Sequence, residues 1–307
     1  MKNYIKMAVS LILIGILIYN VEWESFLNHF KTLSIWPVVI VLAIFTVQFP
    51  ISAMKWKTAL EIHQLNYSFG FLQKIICIGF FFNNFLPTAI GGDAYRVLKT
   101  MPKEGFKSRA VSAVLLERIM GFAALLFLGF VGGVLTLTVA GEQNQLILYY
   151  ILICAGGGVI AVCLLFLLWM GAFSNLLERI KKIKKLEILT HNLGHIWRSP
   201  ALLINISMVS LLFQVLAIIA IGVLFDALGS DGSYAIYAVM AAIVGLASVL
   251  PISINGIGVI EGAFVFSATQ LGIGYNEAII AAFMLRILVM PLSLICGFVY
   301  LWDTHRK

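Results

Sequence analysis

Charge is what this sequence has least of. Asp, Glu, Lys and Arg make up only 11% of its 307 residues, against 61% hydrophobic. A soluble domain cannot bury that much apolar surface, so the scarcity excludes an aqueous globular protein and makes lipid the solvent. The mean hydropathy of +1.01 agrees. Long apolar runs alternate with short polar ones from end to end, which leaves no stretch for a separate soluble domain. Cysteine is also scarce. Cys77, Cys154, Cys163 and Cys296 all lie in apolar runs, where they read as small buried hydrophobes rather than a disulfide framework or metal site. No nucleophile–base arrangement, phosphate-binding loop or nucleic-acid module is visible. His191 and His195 have i,i+4 spacing but no third ligand, so no metal and no cofactor is expected. Gly256-Ile257-Gly258 resembles part of a dinucleotide loop, but Glu261 takes the third glycine position and no βαβ pattern surrounds it.

The charges that remain carry information by where they sit. The net charge of +7 does not point to nucleic acid, because the basic residues fall between apolar spans, as the positive-inside rule predicts. Runs long enough to cross a bilayer cover roughly 4–20, 36–54, 110–138, 146–170, 201–225 and 277–301. The first resembles a signal peptide, but no small-x-small cleavage site follows it, so it is expected to stay as a span. Two more segments, about 71–90 and 234–254, are interrupted by Pro and Gly near their ends. Lys2 and Lys6 place the N-terminus in the cytoplasm. Arg96, Lys99, Lys103, Lys107 and Arg109 stay on that side only if 71–90 enters the membrane and turns back. The expected fold is therefore an all-α polytopic bundle with six full spans and two re-entrant segments, both termini cytoplasmic. The alternative is eight full spans. Residues 175–193 mix Leu and Ile with lysines and read as an interfacial helix on anionic lipid.

The two interrupted segments resemble each other. Leu86-Pro87-Thr88-Ala89-Ile90-Gly91-Gly92 parallels Leu250-Pro251-Ile252-Ser253-Ile254-Asn255-Gly256, with Pro and Gly displaced alike by 164 positions (251−87, 256−92). Arg118 and Arg286 each stand eleven residues before a glycine (129−118, 297−286). Broken helices at matching places in two halves, roughly 71–140 and 234–301, are the sequence pointer to an inverted-repeat transporter. Six ionisable residues fall at membrane depth near the breaks: Asp93, Arg96, Glu117, Arg118, Glu261 and Arg286. Each is costly in hydrocarbon unless paired or facing water. Three acids balanced by three arginines point to one polar cluster. Asn84, Pro87, Gly91 and Gly92 at the first break, and Pro251, Asn255, Gly256 and Gly258 at the second, are expected to end one helix and begin another. The restarted helices would offer free N–H groups to a phosphate, the arginines would bind it bidentately, and an acid would take a cationic amine. Gly129-x-x-x-Gly133 reads as close helix packing.

Asn84-Phe85-Leu86-Pro87-x3-Gly91-Gly92-Asp93-x2-Arg96, then Glu117-Arg118-x2-Gly121, then Pro251-x3-Asn255-Gly256-x-Gly258-x2-Glu261 resemble the transmembrane region of the lysylphosphatidylglycerol synthase family. This is the flippase-like domain of the bacterial multiple peptide resistance factors. The resemblance runs over about residues 5–300 and implies one integral-membrane domain in a bacterial inner membrane, residues 1–307. It implies a flippase or translocator for a phospholipid, aminoacylated or not, or for another lipid-linked headgroup. In full-length relatives a separate soluble domain makes the aminoacyl lipid. The chain stops at Lys307, just after the last span, so no lysyltransferase activity is expected of it. The competing expectation is a non-catalytic membrane partner of a separate synthase or glycosyltransferase.

Overall fold

The computed structural model describes residues 2–24, 26, 28, 34–85, 91–101, 107–138, 144–156, 199–250, 252–253 and 255–305. Among them are ten helices and no strand. The first half of the chain holds α1 (Lys2–Tyr19), α2 (Ile35–Ile62), α3 (Phe69–Phe85), α4 (Gly91–Thr100), α5 (Lys107–Thr138) and α6 (Gln145–Gly156). The second holds α7 (Pro200–Ala227), α8 (Tyr234–Ser248), α9 (Val259–Gln270) and α10 (Tyr275–His305). The long apolar runs of this sequence can satisfy their backbone in lipid only as helices.

Four helices, α2, α5, α7 and α10, are long and apolar enough to cross a membrane. They coincide with four of the six expected spans. The first expected span is α1. The fourth begins as α6, and 157–170 lie outside the described residues. The two interrupted segments each become a pair of short helices. With 17 residues in α3 and 15 in α8, these reach about 25 and 22 Å at ~1.5 Å per residue, short of a ~30 Å hydrocarbon core. Pro87 and Pro251, His191 and His195, Cys163, Arg306, Lys307 and the basic segment 175–193 also lie outside the described residues. One boundary needs correction. α2 runs eight residues past the expected end at 54, so Lys55 and Lys57, just beyond the expected span, stand within the helix.

The order α2–α3–α4–α5 recurs as α7–α8–α9–α10. Both ends of α2 and α7 are offset by 165 positions (200−35, 227−62), and α5 and α10 begin 168 apart (275−107). Packing is reciprocal as well: α3 lies on α10 of the other half, and α8 lies on α5. α2 and α7 face each other directly. There Gln48 Nε2 donates to the Phe213 carbonyl at 3.1 Å and Thr58 Oγ1 to Asn205 Oδ1 at 3.0 Å. Numbers rise along α2 while they fall along α7, so the two equivalent helices run antiparallel.

Each half has its own apolar core. Trp56, Leu60, Leu72 and Ile75 centre one, and Leu224, Phe225, Tyr237 and Ile279 the other. The glycine stripe on α5 does set close packing. A Cβ on Gly129 would come within 2.5 Å of the Ala242 side chain, and one on Gly132 within 2.5 Å of the Ala235 carbonyl oxygen, both on α8. Gly133 faces Ile151 on α6. Cys77 and Cys296 overturn the expectation of isolated thiols: they form a disulfide, with Cα atoms 5.1 Å apart, joining α3 to α10. The two cysteines are 219 positions apart, and a spacing that long holds no local signal of contact.

Gly132→Ala should therefore cost about 1–3 kcal/mol by forcing α5 away from backbone on α8. Gly262→Ala, with nothing within 4 Å of its Cβ position, should leave stability unchanged or slightly raised. Thermal melting of the two variants in mild detergent compares them directly.

Candidate functional site

α4 and α9 are short helices that begin just after the breaks and carry an acid in their first turn, Asp93 and Glu261. α5 and α10 then return past them with Arg118 and Arg286. In each half the arginine Nε donates to the acid: Arg118 to Asp93 Oδ2, and Arg286 to Glu261 Oε1. Both pairs are separated by 25 residues. Asp93 and Glu261 are buried, 9% and 2% exposed. The side chains of Arg118 and Arg286 reach out further, at 52% and 22%. An ionised carboxylate could not be held so deep unpaired. Because Nε faces the acid, the opposite edge of each guanidinium keeps the two-pronged donor geometry that matches a phosphate.

The first half carries more. Arg96, on the same helix as Asp93, donates to Glu117 on α5 and stacks on Trp56 of α2, with its guanidinium carbon 4.3 Å from the ring centre. Lys55 reaches Glu117 from α2 at 3.2 Å and lies 5.0 Å from the Phe213 ring centre. Arg96 Nη1 is also 3.5 Å from Asp93 Oδ1, close enough for charge attraction but without a hydrogen bond. Three cations and two carboxylates thus form one continuous set on α2, α4 and α5. The expected single cluster of six is in fact two sets, with no ion pair joining them among the described residues. Asp93, Arg96, Glu117 and Arg118 form one, with Lys55 added, and Glu261 with Arg286 forms the other.

One N–H at each helix start is already taken by a side chain. The Gly92 N–H donates to Asn83 Oδ1 at 2.9 Å. The Gly258 N–H donates to Glu261 Oε2 at 2.8 Å, the N3-to-N-cap half of a capping box, since glycine has no side chain to supply the other half. Gly258 can occupy this cap because its φ of +83° suits glycine. Glu261 is likewise no free acceptor for an amine, since it already takes Arg286 and a backbone donor.

A cavity of about 440 Å³ lies against the second set. Its walls come from seven helices and are mainly apolar, including Phe45, Leu125, Ile221, Phe264 and Leu285. Its polar groups include Glu261, Arg286, Asn255, Gln214 and Asn84. Asn84 comes from the first half, and its amide also donates to the Phe80 carbonyl at 3.0 Å, so both breaks contribute to one wall. This volume lies in the ~300–1,000 Å³ range of sites that enclose small ligands. Of the predicted residues, Asn84, Asn255, Glu261 and Arg286 meet here. Asp93, Arg96, Glu117 and Arg118 do not line it. Lys55, Trp56 and Gln214 were missed. The signal for Lys55 was the pair of lysines straddling Trp56 at the end of an apolar run, where one of the two had to face inward.

Glu117→Gln removes the only carboxylate shared by Lys55 and Arg96. It should destabilise the protein by about 3–5 kcal/mol. Adding Lys55→Met should recover part of that loss, and a melting series over the wild type, single and double variants reads both effects.

Comparison with known proteins fits this arrangement. Over 182 residues the chain is 24% identical to a protein of Pyrococcus horikoshii described as a UPF0104 membrane protein. The match covers 58% of this chain and 52% of that protein, so it spans about half of the relative's length. The description of the family whose pattern covers residues 3–297 is Lysylphosphatidylglycerol synthase TM region. With nearly its whole length matched, and with the paired acid–arginine sites recurring in both halves, this multi-pass membrane protein belongs to the lysylphosphatidylglycerol synthase TM region family.

Proposed function

We propose that the chain is a lipid translocator: it takes the headgroup region of a phospholipid or lipid-linked substrate into the cavity between its halves and releases it to the other leaflet, without catalysis. The observation that carries this is the Glu261–Arg286 pair in the wall of a mainly apolar cavity of about 440 Å³. A translocator must shelter a charged group while it crosses hydrocarbon, and an arginine at depth with one guanidinium edge open does so.

The repeated helix order supports the rest of the proposal. Equivalent helices α2 and α7 run antiparallel, as they would in an inverted repeat whose two-fold axis lies in the membrane plane. In that arrangement α3–α4 and α8–α9 are re-entrant pairs entering from opposite faces. Six full spans, both termini cytoplasmic and a bacterial inner membrane complete the topology. Rocking of one half against the other around the cavity would then alternate its access.

The test is leaflet exchange of fluorescent phosphatidylglycerol in vesicles, with outer-leaflet probe quenched by an impermeant reductant. Wild type should exchange the protected half of the probe. Arg118→Ala, Arg286→Ala and Asp93→Asn should each slow exchange tenfold or more while keeping helical content. Equal exchange in wild type and all three variants would end this proposal. Exchange no faster than in protein-free vesicles, together with co-purification of a lipid- or sugar-modifying enzyme, would put the non-catalytic partner role in its place.

A further inference from the structure

The two halves share one acid–arginine pair each, yet only one of them borders the cavity. The same offsets that relate the pairs explain why. With α4 and α5 displaced by 168 (261−93, 286−118), Arg96 and Glu117 correspond to Phe264 and Leu285. With α2 displaced by 165, Lys55 and Trp56 correspond to Ala220 and Ile221. In the first half that position is taken by charged side chains: Arg96 lies on Trp56 and is tied to Glu117, which also holds Lys55. In the second half it is replaced by apolar groups, and Ile221, Phe264 and Leu285 all line the cavity.

A second difference acts in the same direction. In the first half α3 and α4 close up through two glycines. A Cβ on Gly79 would come within 3.2 Å of the Gly92 carbonyl oxygen and 3.4 Å of Arg96 Cγ. With the helices rather than the break motif setting the register (234−69 for α3 and α8, 261−93 for α4 and α9), Val244 and Ile260 stand where Gly79 and Gly92 do, and both line the cavity. Side chains there meet the cavity where the first half has two glycines, while α8 and α9 still pack directly on one another.

We infer that the two halves are not interchangeable ligand sites. The second half is the one that loads, and it takes an anionic amphiphile, with the anionic oxygens on the open edge of Arg286 and an aliphatic portion against Ile221, Phe264 and Leu285. The first half carries its own permanent occupant, the Lys55–Arg96–Glu117 set, in the equivalent space. Among the described residues the second site holds no carboxylate other than Glu261, which is already bonded to Arg286 and to the Gly258 N–H. A cationic headgroup therefore finds neutral amide oxygens but no unpaired carboxylate there, whereas an anionic one finds the Arg286 guanidinium. This rests on the cavity being the lipid site of the proposed translocator, but it does not require that transport occur.

The experiment uses vesicles containing phosphatidylglycerol with a photoreactive acyl chain, the full-length protein, and mapping of the labelled peptides. Label should concentrate on peptides spanning 241–289 and be at least tenfold weaker on 93–121. Ala217→Phe fills the cavity with a neutral side chain and should cut labelling tenfold or more. The triple substitution Lys55→Ala, Arg96→Phe, Glu117→Leu should create new labelling on 93–121. Should that triple variant fail to fold, the wild-type map and Ala217→Phe decide alone. Competition by unlabelled phosphatidylglycerol but not oleate identifies a phosphodiester lipid as the occupant, and competition by oleate a free fatty carboxylate. Displacement by a cationic aminoacyl phosphatidylglycerol as strong as by phosphatidylglycerol itself overturns the inferred charge preference. Equal labelling of both halves, or labelling untouched by Ala217→Phe, overturns the asymmetry. Failure of transport in the leaflet-exchange assay, with labelling intact and confined to 241–289, would refute translocation alone.

Discussion

An ionised side chain at membrane depth must have a partner, and much of this structure is arranged to provide one. Asp93 and Glu261 are nearly inaccessible, and hydrocarbon around a lone carboxylate would cost far more than a domain of this size has in reserve. The chain solves this twice in the same way. It breaks a helix, restarts it with the acid in the first turn, and brings back an arginine 25 residues later on a long helix. The break positions the acid, and the spacing positions the arginine. At each restart one backbone donor is met by a side chain: Asn83 takes the Gly92 N–H and Glu261 the Gly258 N–H. Among the described residues no bond is seen on the far edge of either guanidinium, and only that of Arg286 borders the cavity.

Reciprocal packing follows from the same repetition. α2 meets α7 head to tail, α3 reaches across to α10, and α8 reaches across to α5. The disulfide between Cys77 and Cys296 lies on one of these crossings. The glycines of α5 lie on the other, where they admit Ala235 and Ala242 of α8. One crossing is held by a covalent bond and the other by close backbone contact, so the halves are joined differently on their two sides. The two halves therefore differ both at their seams and in what fills them.

Much of the helical architecture could be read from the chain, because hydropathy in lipid is a strong signal: four long helices fall on four of the expected runs. The matched breaks were legible from Gly92 and Gly256, and the six ionisable residues from their depth. Their grouping was not. Charge balance alone made a single cluster of three acids and three arginines, but balance carries no distances. Lys55 fell just outside the expected span because a helix in lipid can continue past its apolar run when one face stays buried, as α2 does through Trp56, Ala59 and Leu60. The disulfide was hidden for a related reason: a cysteine in an apolar run looks the same whether its partner is a lipid or another cysteine on a helix 219 positions away. The helix-start donors seemed free because a capping contact depends on one side-chain torsion, which sequence does not encode.

The contrast between the halves bears on how such a protein could work at all. If both sites were open, an amphiphile would meet two equal wells, and exchange between them would have no preferred resting place. Filling one with Lys55, Arg96 and Glu117 leaves a single well, at Arg286. In the filled half Glu117 ties α2, α4 and α5 together through Lys55 and Arg96, whereas the second half borders a cavity. Cavities forfeit contact energy along their whole lining, so the second half is the one that gains most from closing on a ligand. Binding energy would then be released in the half that can move, against a half that already has its charges in place. On this physical ground the ion set that seemed to be the transport site is better understood as the fixed wall against which the other site opens and closes.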